Sequence, residues 1–127
     1  KLIDPKKNKI LYVEDISANL ELVKQILVNR PHVELLWACN ALEGIGLAQT
    51  ETLDLILMDI HMPGMDGLTA FKKLQAIEKT KSIPVIALTA DAMDGDTKKA
   101  LDMGFKGYIT KPIDVPHFLQ VIDEIIP

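Results

Sequence analysis

Five short segments rich in Ile, Leu and Val are separated by stretches of helical periodicity, and this alternation constrains the fold more than any other feature of the chain. The five segments are KILYV (9–13), VELLWA (33–38), DLILM (54–58), PVIALT (84–89) and GYIT (107–110). Strands that alternate with helices at this spacing form parallel sheets, because each helix carries the chain back to the starting edge. The sequence therefore predicts an α/β fold with helices on both faces of a five-stranded parallel sheet.

Each gap between the predicted strands, and the stretch after the last one, has a pattern typical of a helix. In SANLELVKQILVNR (17–30), apolar residues recur three and four positions apart, as on one helix face. ALEGIGLAQ (41–49), GLTAFKKLQAIEK (67–79) and DTKKALDMG (96–104) predict three more helices. In DVPHFLQVIDEII (114–126), Asp114 is the predicted N-cap and Pro116 lies in the first turn, where its missing N–H is tolerated. No repeat or internal linker occurs, so we expect one domain over 1–127, with its core at about 8–126.

The composition excludes several classes of protein. With 127 residues, 48% of them hydrophobic and 5% aromatic, the chain suits one globular domain with an aliphatic core. A net charge of −4 argues against direct binding to nucleic acid. The longest apolar runs are about five residues, against roughly 20 for a membrane span, and KLIDPKKNK does not resemble a signal peptide. We expect no membrane insertion and a cytoplasmic location, and we expect the single cysteine, Cys39, near the core as a small apolar residue.

Polar residues follow four of the five predicted strands. In parallel sheets with right-handed connections, ligands bind beyond the carboxyl ends of the strands, where the strand order reverses. Three carboxylates, one hydroxyl and one amine are therefore expected at one edge of the sheet: Glu14, Asp15, Asp59, Thr89 and Lys111.

These residue types together suit phosphoryl chemistry assisted by a metal. Three neighbouring carboxylates repel one another and need a compensating positive charge. Hard oxygen ligands with little His or Cys nearby suit Mg²⁺, and Lys111 would add a fixed charge. Such a set can stabilise a phosphoryl group in transit to Asp59, which we expect to be the more exposed carboxylate. Each residue alone has an ordinary structural role, as a turn former, a strand residue or a surface charge; their co-occurrence at one edge favours the site.

Four motifs in order along nearly the whole chain resemble those of the receiver domains of two-component response regulators, including the chemotaxis regulators. The motifs are ILYVED (10–15), LILMDIHMPGMDG (55–67), PVIALTA (84–90) and GYITKPID (107–114). The resemblance implies a flavodoxin-like (βα)₅ three-layer sandwich with sheet order 2-1-3-4-5.

The resemblance also implies a role for each residue at the edge of the sheet. Asp59 resembles the phospho-acceptor, which takes a phosphoryl group from a phospho-histidine on a sensor histidine kinase or a histidine phosphotransfer protein. The implied cofactor is Mg²⁺, bound by Asp15, Asp59 and the backbone carbonyl of His61, with Glu14 acting through water. Lys111 would pair with the phosphoryl oxygens, and the bond that follows it, to Pro112, is expected to be cis.

A further group of residues resembles the family's switch. Thr89 and Tyr108 match the switch pair, whose hydroxyl moves to the phosphoryl group while the aromatic ring turns inward. The face formed by the fourth helix, fifth strand and fifth helix would then signal to a downstream output domain or protein. His61 and Asp91 match positions that flank the route of the attacking water and modulate dephosphorylation.

Two other functions compete with the receiver hypothesis. A phosphatase of the haloacid-dehalogenase type needs a second Asp two residues after its nucleophile, and His61 stands there. A pseudo-receiver, which binds proteins without phosphorylation, would normally lack Asp59 or Lys111, and both are present. Neither glycine-rich nucleotide motif occurs. We expect that this chain is not a metabolic enzyme and that it catalyses only its own phosphotransfer and dephosphorylation.

The sequence leaves two alternatives for the kind of protein to which this domain belongs. The chain begins with Lys rather than Met, which is compatible with excision from a longer protein. The runs ILYVEDISANLELV (10–23) and GFKGYITKPIDVPHFL (104–119) resemble receivers joined to sensor kinases. A stand-alone regulator and the receiver of a larger regulator or hybrid sensor histidine kinase are both expected possibilities, and in a hybrid the parent protein would be a histidine kinase.

Overall fold

Five strands alternate with five helices in the computed structural model, which describes residues 7–90 and 95–127. In chain order the elements are β1 (Asn8–Val13), α1 (Ser17–Leu27), β2 (Val33–Ala38), α2 (Ala41–Thr50), β3 (Leu55–Asp59), α3 (Gly67–Gln75), β4 (Val85–Thr89), α4 (Asp96–Met103), β5 (Gly107–Thr110) and α5 (Val115–Ile125). None of the helices in these described ranges is long and apolar enough to cross a bilayer.

The five strands form one parallel sheet in the order β2-β1-β3-β4-β5. The chain first moves from β1 outward to β2 and then returns to place β3 on the other side of β1. This reversal leaves a crevice beyond the carboxyl ends of β1 and β3, where no connection crosses. The predicted fold and strand order are confirmed.

The core has two layers because alternate side chains of each strand point to opposite faces of the sheet. Leu11 and Met58 pack with α2, α3 and α4 on one face, where the rings of Phe71 and Phe105 stack with centroids 4.1 Å apart. Ile10 and its neighbours on the other face pack with α1 and α5. The strands β3 and β4 are buried on both faces, so they are continuously apolar up to the residue that ends each of them.

Side-chain caps start three of the helices. Asn40 Oδ1 accepts a hydrogen bond from the Glu43 N–H at 2.8 Å, and Asp66 Oδ1 accepts one from the Thr69 N–H at 2.8 Å. Asp114 Oδ2 accepts the His117 N–H at 3.0 Å, which confirms the predicted N-cap of α5. Each cap satisfies a backbone donor that the helix itself cannot reach.

Several predicted boundaries were wrong by a few residues. α3 ends at Gln75 rather than 79, because the chain turns there and the buried Thr80 hydroxyl donates to the Leu74 carbonyl oxygen at 2.6 Å. α1 ends at Leu27 rather than 30. Asp59 is the last residue of β3 rather than the residue after it, whereas Thr89 ends β4 as in the predicted segment 84–89.

The prediction for Cys39 was also wrong. Its side chain is exposed, because the residue lies in the turn after β2 rather than in the strand. Its backbone N–H donates to the Glu43 carboxylate at 2.9 Å, beside the Asn40 cap of α2. The thiol is therefore at the surface.

Candidate functional site

Acidic side chains converge in the crevice at the carboxyl ends of β1 and β3. Val13 and Met58 are aligned in the sheet, so the residues that follow them, Glu14 and Asp59, lie side by side. Asp15 joins them, and the three carboxylates each offer an oxygen within 4.8 Å of the others. The structure thus brings together the three carboxylates that the sequence placed at this edge.

Lys111 reaches this acidic cluster from the far edge of the sheet. Its Nζ donates to Glu14 Oε1 at 2.8 Å and to Asp59 Oδ2 at 3.0 Å. Its backbone N–H donates to the Thr89 carbonyl oxygen at 2.8 Å, and the following bond, to Pro112, is cis as expected. Burial acts to lower the pKa of Lys111, but the two carboxylates raise it above its usual value, so the ammonium stays charged.

Glu14 is a fully bonded, buried carboxylate. Besides Lys111, Oε1 accepts the Tyr12 hydroxyl at 2.8 Å, and Oε2 accepts the Ile16 N–H at 3.3 Å. Burial acts to raise the pKa of Glu14, yet the hydrogen bonds from Lys111 and Tyr12 outweigh it and hold that pKa below its usual value. Burial and the Glu14 charge raise the pKa of Tyr12 in turn. Glu14 is therefore ionised and holds the Lys111 ammonium in place.

Asp59 is more buried than its predicted position at the rim of the sheet implied. It is only 3% exposed, whereas Asp15 is the exposed carboxylate, because Asp59 still belongs to a central strand. Its Oδ1 accepts the His61 N–H at 2.9 Å and its Oδ2 faces Lys111. Burial, assisted by the charge of Glu14, holds the pKa of Asp59 above its usual value against these two donors. Of the two buried carboxylates, Asp59 is therefore the one whose ionised form is destabilised by its surroundings.

The residues of the cluster fit a hard divalent cation. All three ligand groups are carboxylates, and the cluster contains no His or Cys side chain among the described residues. When the three are ionised, the Lys111 ammonium leaves two negative charges uncompensated. Oxygen donors around a double negative charge, with Asp15 on the open side, suit Mg²⁺ better than a softer metal.

The other predicted site residues lie around this cluster at different depths. Thr89 ends β4 and is fully buried, one residue beyond Leu88, the partner of Asp59 in the sheet. The His61 side chain is exposed and lines an open cleft with Lys99 of α4. Tyr108 stands apart, 37% exposed, in a shallow cavity against α5. The position predicted for Asp91 lies outside the described residues.

Two residues that touch the site were missed by sequence reasoning. Tyr12 was counted only as a strand residue, although its position two before Glu14 puts both side chains on one face of the chain. Trp37 Nε1 donates to the Glu14 carbonyl oxygen at 2.7 Å. No local signal could have found Trp37, because the contact depends on the register of β1 against β2, in which it is aligned with Tyr12.

Comparison with known proteins identifies related chains over almost the whole length. The sequence profile of the response regulator receiver domain matches residues 10–123. The chain is 40% identical over 113 residues to the polar-differentiation response regulator DivK of Brucella anthropi, covering 89% of this chain and 91% of DivK. It is 38% identical over 133 residues to hybrid signal transduction histidine kinase G of Dictyostelium discoideum, a match that covers 100% of this chain but only 4% of the kinase.

Solved structures show the same fold. The receiver domain of sensor histidine kinase PA1611 from Pseudomonas aeruginosa, which has a magnesium ion in its active-site cleft, is 28% identical with a TM-score of 0.85, covering 94% of this chain and 98% of that one. The receiver domain of Ssk1 from Saccharomyces cerevisiae, solved with the histidine phosphotransfer protein Ypd1, is 28% identical with a TM-score of 0.84, covering 94% and 89%. The chain therefore belongs to the response regulator receiver domain family and is a receiver domain of two-component signal transduction.

Proposed function

We propose that this domain accepts a phosphoryl group on Asp59 from a phospho-histidine of a sensor histidine kinase or histidine phosphotransfer protein. The observation that carries the proposal is the single ammonium of Lys111 held between Asp59 and Glu14, beside the exposed carboxylate of Asp15. The Ssk1 receiver in complex with Ypd1 supports this class of partner. We expect the exchange to take place in the cytoplasm.

In the proposed transfer, a carboxylate oxygen of Asp59 attacks phosphorus while the bond from phosphorus to the imidazole nitrogen breaks. The N–H of His61 and the ammonium of Lys111 already bond the two oxygens of Asp59, which orients the carboxylate before the donor arrives. Lys111 can transfer one of its hydrogen bonds to a phosphoryl oxygen while it keeps the bond to Glu14. Its charge is then available where negative charge accumulates.

The proposed cofactor is Mg²⁺, held by Asp15, Asp59 and the backbone carbonyl of His61. When bound, the cation would supply the counter-charge for the phosphoryl oxygens. Because both oxygens of Glu14 already accept hydrogen bonds, we propose that Glu14 acts on the cation only through water. The acidic cluster of this chain supports this assignment, and so does the magnesium ion in the active-site cleft of the PA1611 receiver.

We further propose that phosphorylation is transmitted through Thr89 and Tyr108 to the face formed by α4, β5 and α5. A phosphoryl group adds about −1.5 to −2 charges and three acceptor oxygens, which can recruit the Thr89 hydroxyl. The position of Thr89 at the end of the strand next to Asp59, and the partly exposed ring of Tyr108, support this path. His61 and Asp91 would modulate the loss of the phosphoryl group, and a downstream output domain or protein would bind the face.

The proposed phospho-acceptor is tested by intact mass. The chain is incubated with Mg²⁺ and a small acyl-phosphate donor, and we expect a gain of one phosphoryl group that depends on Mg²⁺ and is lost in Asp59→Asn. Asp102→Asn, which removes an exposed carboxylate of α4, is the matched control and should still be phosphorylated. If folded wild-type chain gains no mass, the proposal is wrong, and a pseudo-receiver that binds proteins without phosphorylation becomes the better hypothesis.

A further inference from the structure

We infer that Trp37 is a positioning residue for the acidic cluster, because its indole N–H holds the peptide that presents Asp15 to a divalent cation. The inference rests on the proposed function, since it concerns how the proposed Mg²⁺ ligands are oriented. It adds a residue from β2, the edge strand, to a site that otherwise comes from the ends of β1, β3 and β5.

The backbone of Glu14 is bonded to β2 at both of its polar atoms. Its N–H donates to the Ala38 carbonyl oxygen at 3.0 Å, which continues the pairing of β1 with β2. Its carbonyl oxygen accepts the Trp37 Nε1–H at 2.7 Å. The peptide bond is planar, so fixing this carbonyl also fixes the N–H of Asp15 and the direction in which that residue leaves the strand.

Asp15 depends on this backbone restraint more than its neighbours do. Glu14 and Asp59 are each held through their own carboxylates by Lys111 and by backbone N–H groups. The Asp15 carboxylate is exposed, and no other described residue donates a hydrogen bond to it. Its place in the cluster is therefore set by the main chain, and Trp37 holds the part of the main chain just before it.

The choice of tryptophan at this position fits the role. The Trp37 side chain is 38% exposed on an edge strand, where an aliphatic or phenyl side chain could cover the same apolar surface. The indole differs in having a donor at the end of a rigid, bulky ring, and a partly buried indole N–H usually finds an acceptor. Here the acceptor is a carbonyl oxygen at the site.

Trp37 also supplies a direct signal, because it is the only tryptophan in the chain. Its intrinsic fluorescence comes from a ring bonded to the peptide between Glu14 and Asp15. Binding of a cation to Asp15 should therefore change the emission of the wild-type chain without any added label.

The test measures Mg²⁺ affinity without a phosphoryl donor. Dissociation constants are determined by calorimetry for the wild type and for Trp37→Phe, which keeps an aromatic ring and loses the N–H, with urea unfolding of each. We expect Mg²⁺ binding about three- to tenfold weaker in Trp37→Phe, the size of one lost orienting hydrogen bond. Glu34→Gln, an exposed position near the other end of β2, is the matched control and should bind as the wild type does.

A second variant separates the N–H from the shape of the ring. Replacing the Trp37 side chain by benzothienylalanine, in which sulfur stands for the N–H, should weaken binding as Trp37→Phe does, even if the smaller ring of phenylalanine impairs folding. Unchanged Mg²⁺ affinity in both variants, with or without a loss of stability, overturns the inference and leaves the proposed function standing. A wild-type chain that binds no Mg²⁺ contradicts the proposed metal site and the inference together.

Discussion

At the scale of single residues, the site is a balance between buried charges and the donors that face them. Glu14 and Asp59 share one ammonium, but only Glu14 receives a hydroxyl in addition. The two pKa values are shifted in opposite directions: that of Glu14 lies below its usual value and that of Asp59 lies above it. Asp59 is consequently the carboxylate whose ionised form a bound cation would stabilise more.

The raised pKa of Asp59 predicts that its charge destabilises the folded domain. A carboxyl group whose pKa is raised on folding favours the folded state below its usual value of 3.8, and this contribution is lost as the pH rises through the folded pKa. In the presence of a chelator at pH 7, Asp59→Asn should therefore raise the free energy of unfolding, and the gain should shrink as the pH falls toward 3.8. Urea unfolding at several pH values measures it; an equal or lower stability at pH 7 would contradict the expectation.

The depressed pKa of Glu14 predicts the opposite dependence on pH. Its contribution to stability is present above its usual value of 4.5 and is lost as the pH falls through the lower folded pKa. Tyr12→Phe removes one donor to the ionised carboxylate and should cost about 1–2 kcal/mol near pH 7. The cost should diminish in acid, which urea unfolding can measure. A cost that is the same at all pH values would mean that packing, and not the hydroxyl, is responsible.

At the scale of elements, the site depends on how closely α3 approaches the end of β3. Gly67 begins α3, and a Cβ at this position would lie 2.5 Å from the Asp59 carbonyl oxygen and 2.7 Å from the Ile60 Cα. Both are backbone atoms, which cannot turn aside as a flexible side chain could. The absence of a side chain at Gly67 thus allows the loop after Asp59 to close over the strand end.

Substitution of this glycine should disturb both stability and the site. We expect Gly67→Ala to destabilise the domain by about 2–3 kcal/mol, because overpacking against backbone forces the β3–α3 loop to move, and to slow phosphorylation of Asp59. Gly46→Ala in α2 is the matched control: a Cβ there meets nothing within 4 Å, so it should stabilise by about 0.5–1 kcal/mol. Urea unfolding and the phosphorylation assay measure both; equal effects of the two changes would contradict the close approach as the cause.

At the scale of the whole molecule, binding at the crevice should stabilise the entire fold. The residues of the cluster come from the ends of β1 and β3, and Lys111 comes from the end of β5. Because only the folded chain brings these strand ends together, a ligand held there binds only the folded chain. Mg²⁺ at about 100 times its dissociation constant should raise the free energy of unfolding by about 2.7 kcal/mol. Thermal or urea unfolding with and without Mg²⁺ measures this, and Asp15→Asn should greatly reduce the effect. An Mg²⁺ effect that persists undiminished in Asp15→Asn would place the cation elsewhere.

The fold and most of the candidate site could be predicted from the sequence, because both depend on patterns that are local along the chain. Five apolar runs alternating with helical periodicity imply a parallel sheet, and a parallel sheet brings the residues at its strand ends to one edge. Glu14, Asp15, Asp59 and Lys111 were predicted on that basis, and the structure brings them together. The cap of α5 by Asp114 was predictable for the same reason.

How deeply a residue is buried, and in which register two strands pair, depended on contacts between distant parts of the chain. The burial of Asp59, the exposure of Cys39 and the early end of α3 at the Thr80 turn follow from packing that no local pattern records. The bond from Trp37 to Glu14 exists only because β2 pairs with β1 in one register. Sequence patterns specify which edge of a sheet a residue reaches, whereas the free energy of its charge depends on the neighbours that tertiary packing places around it.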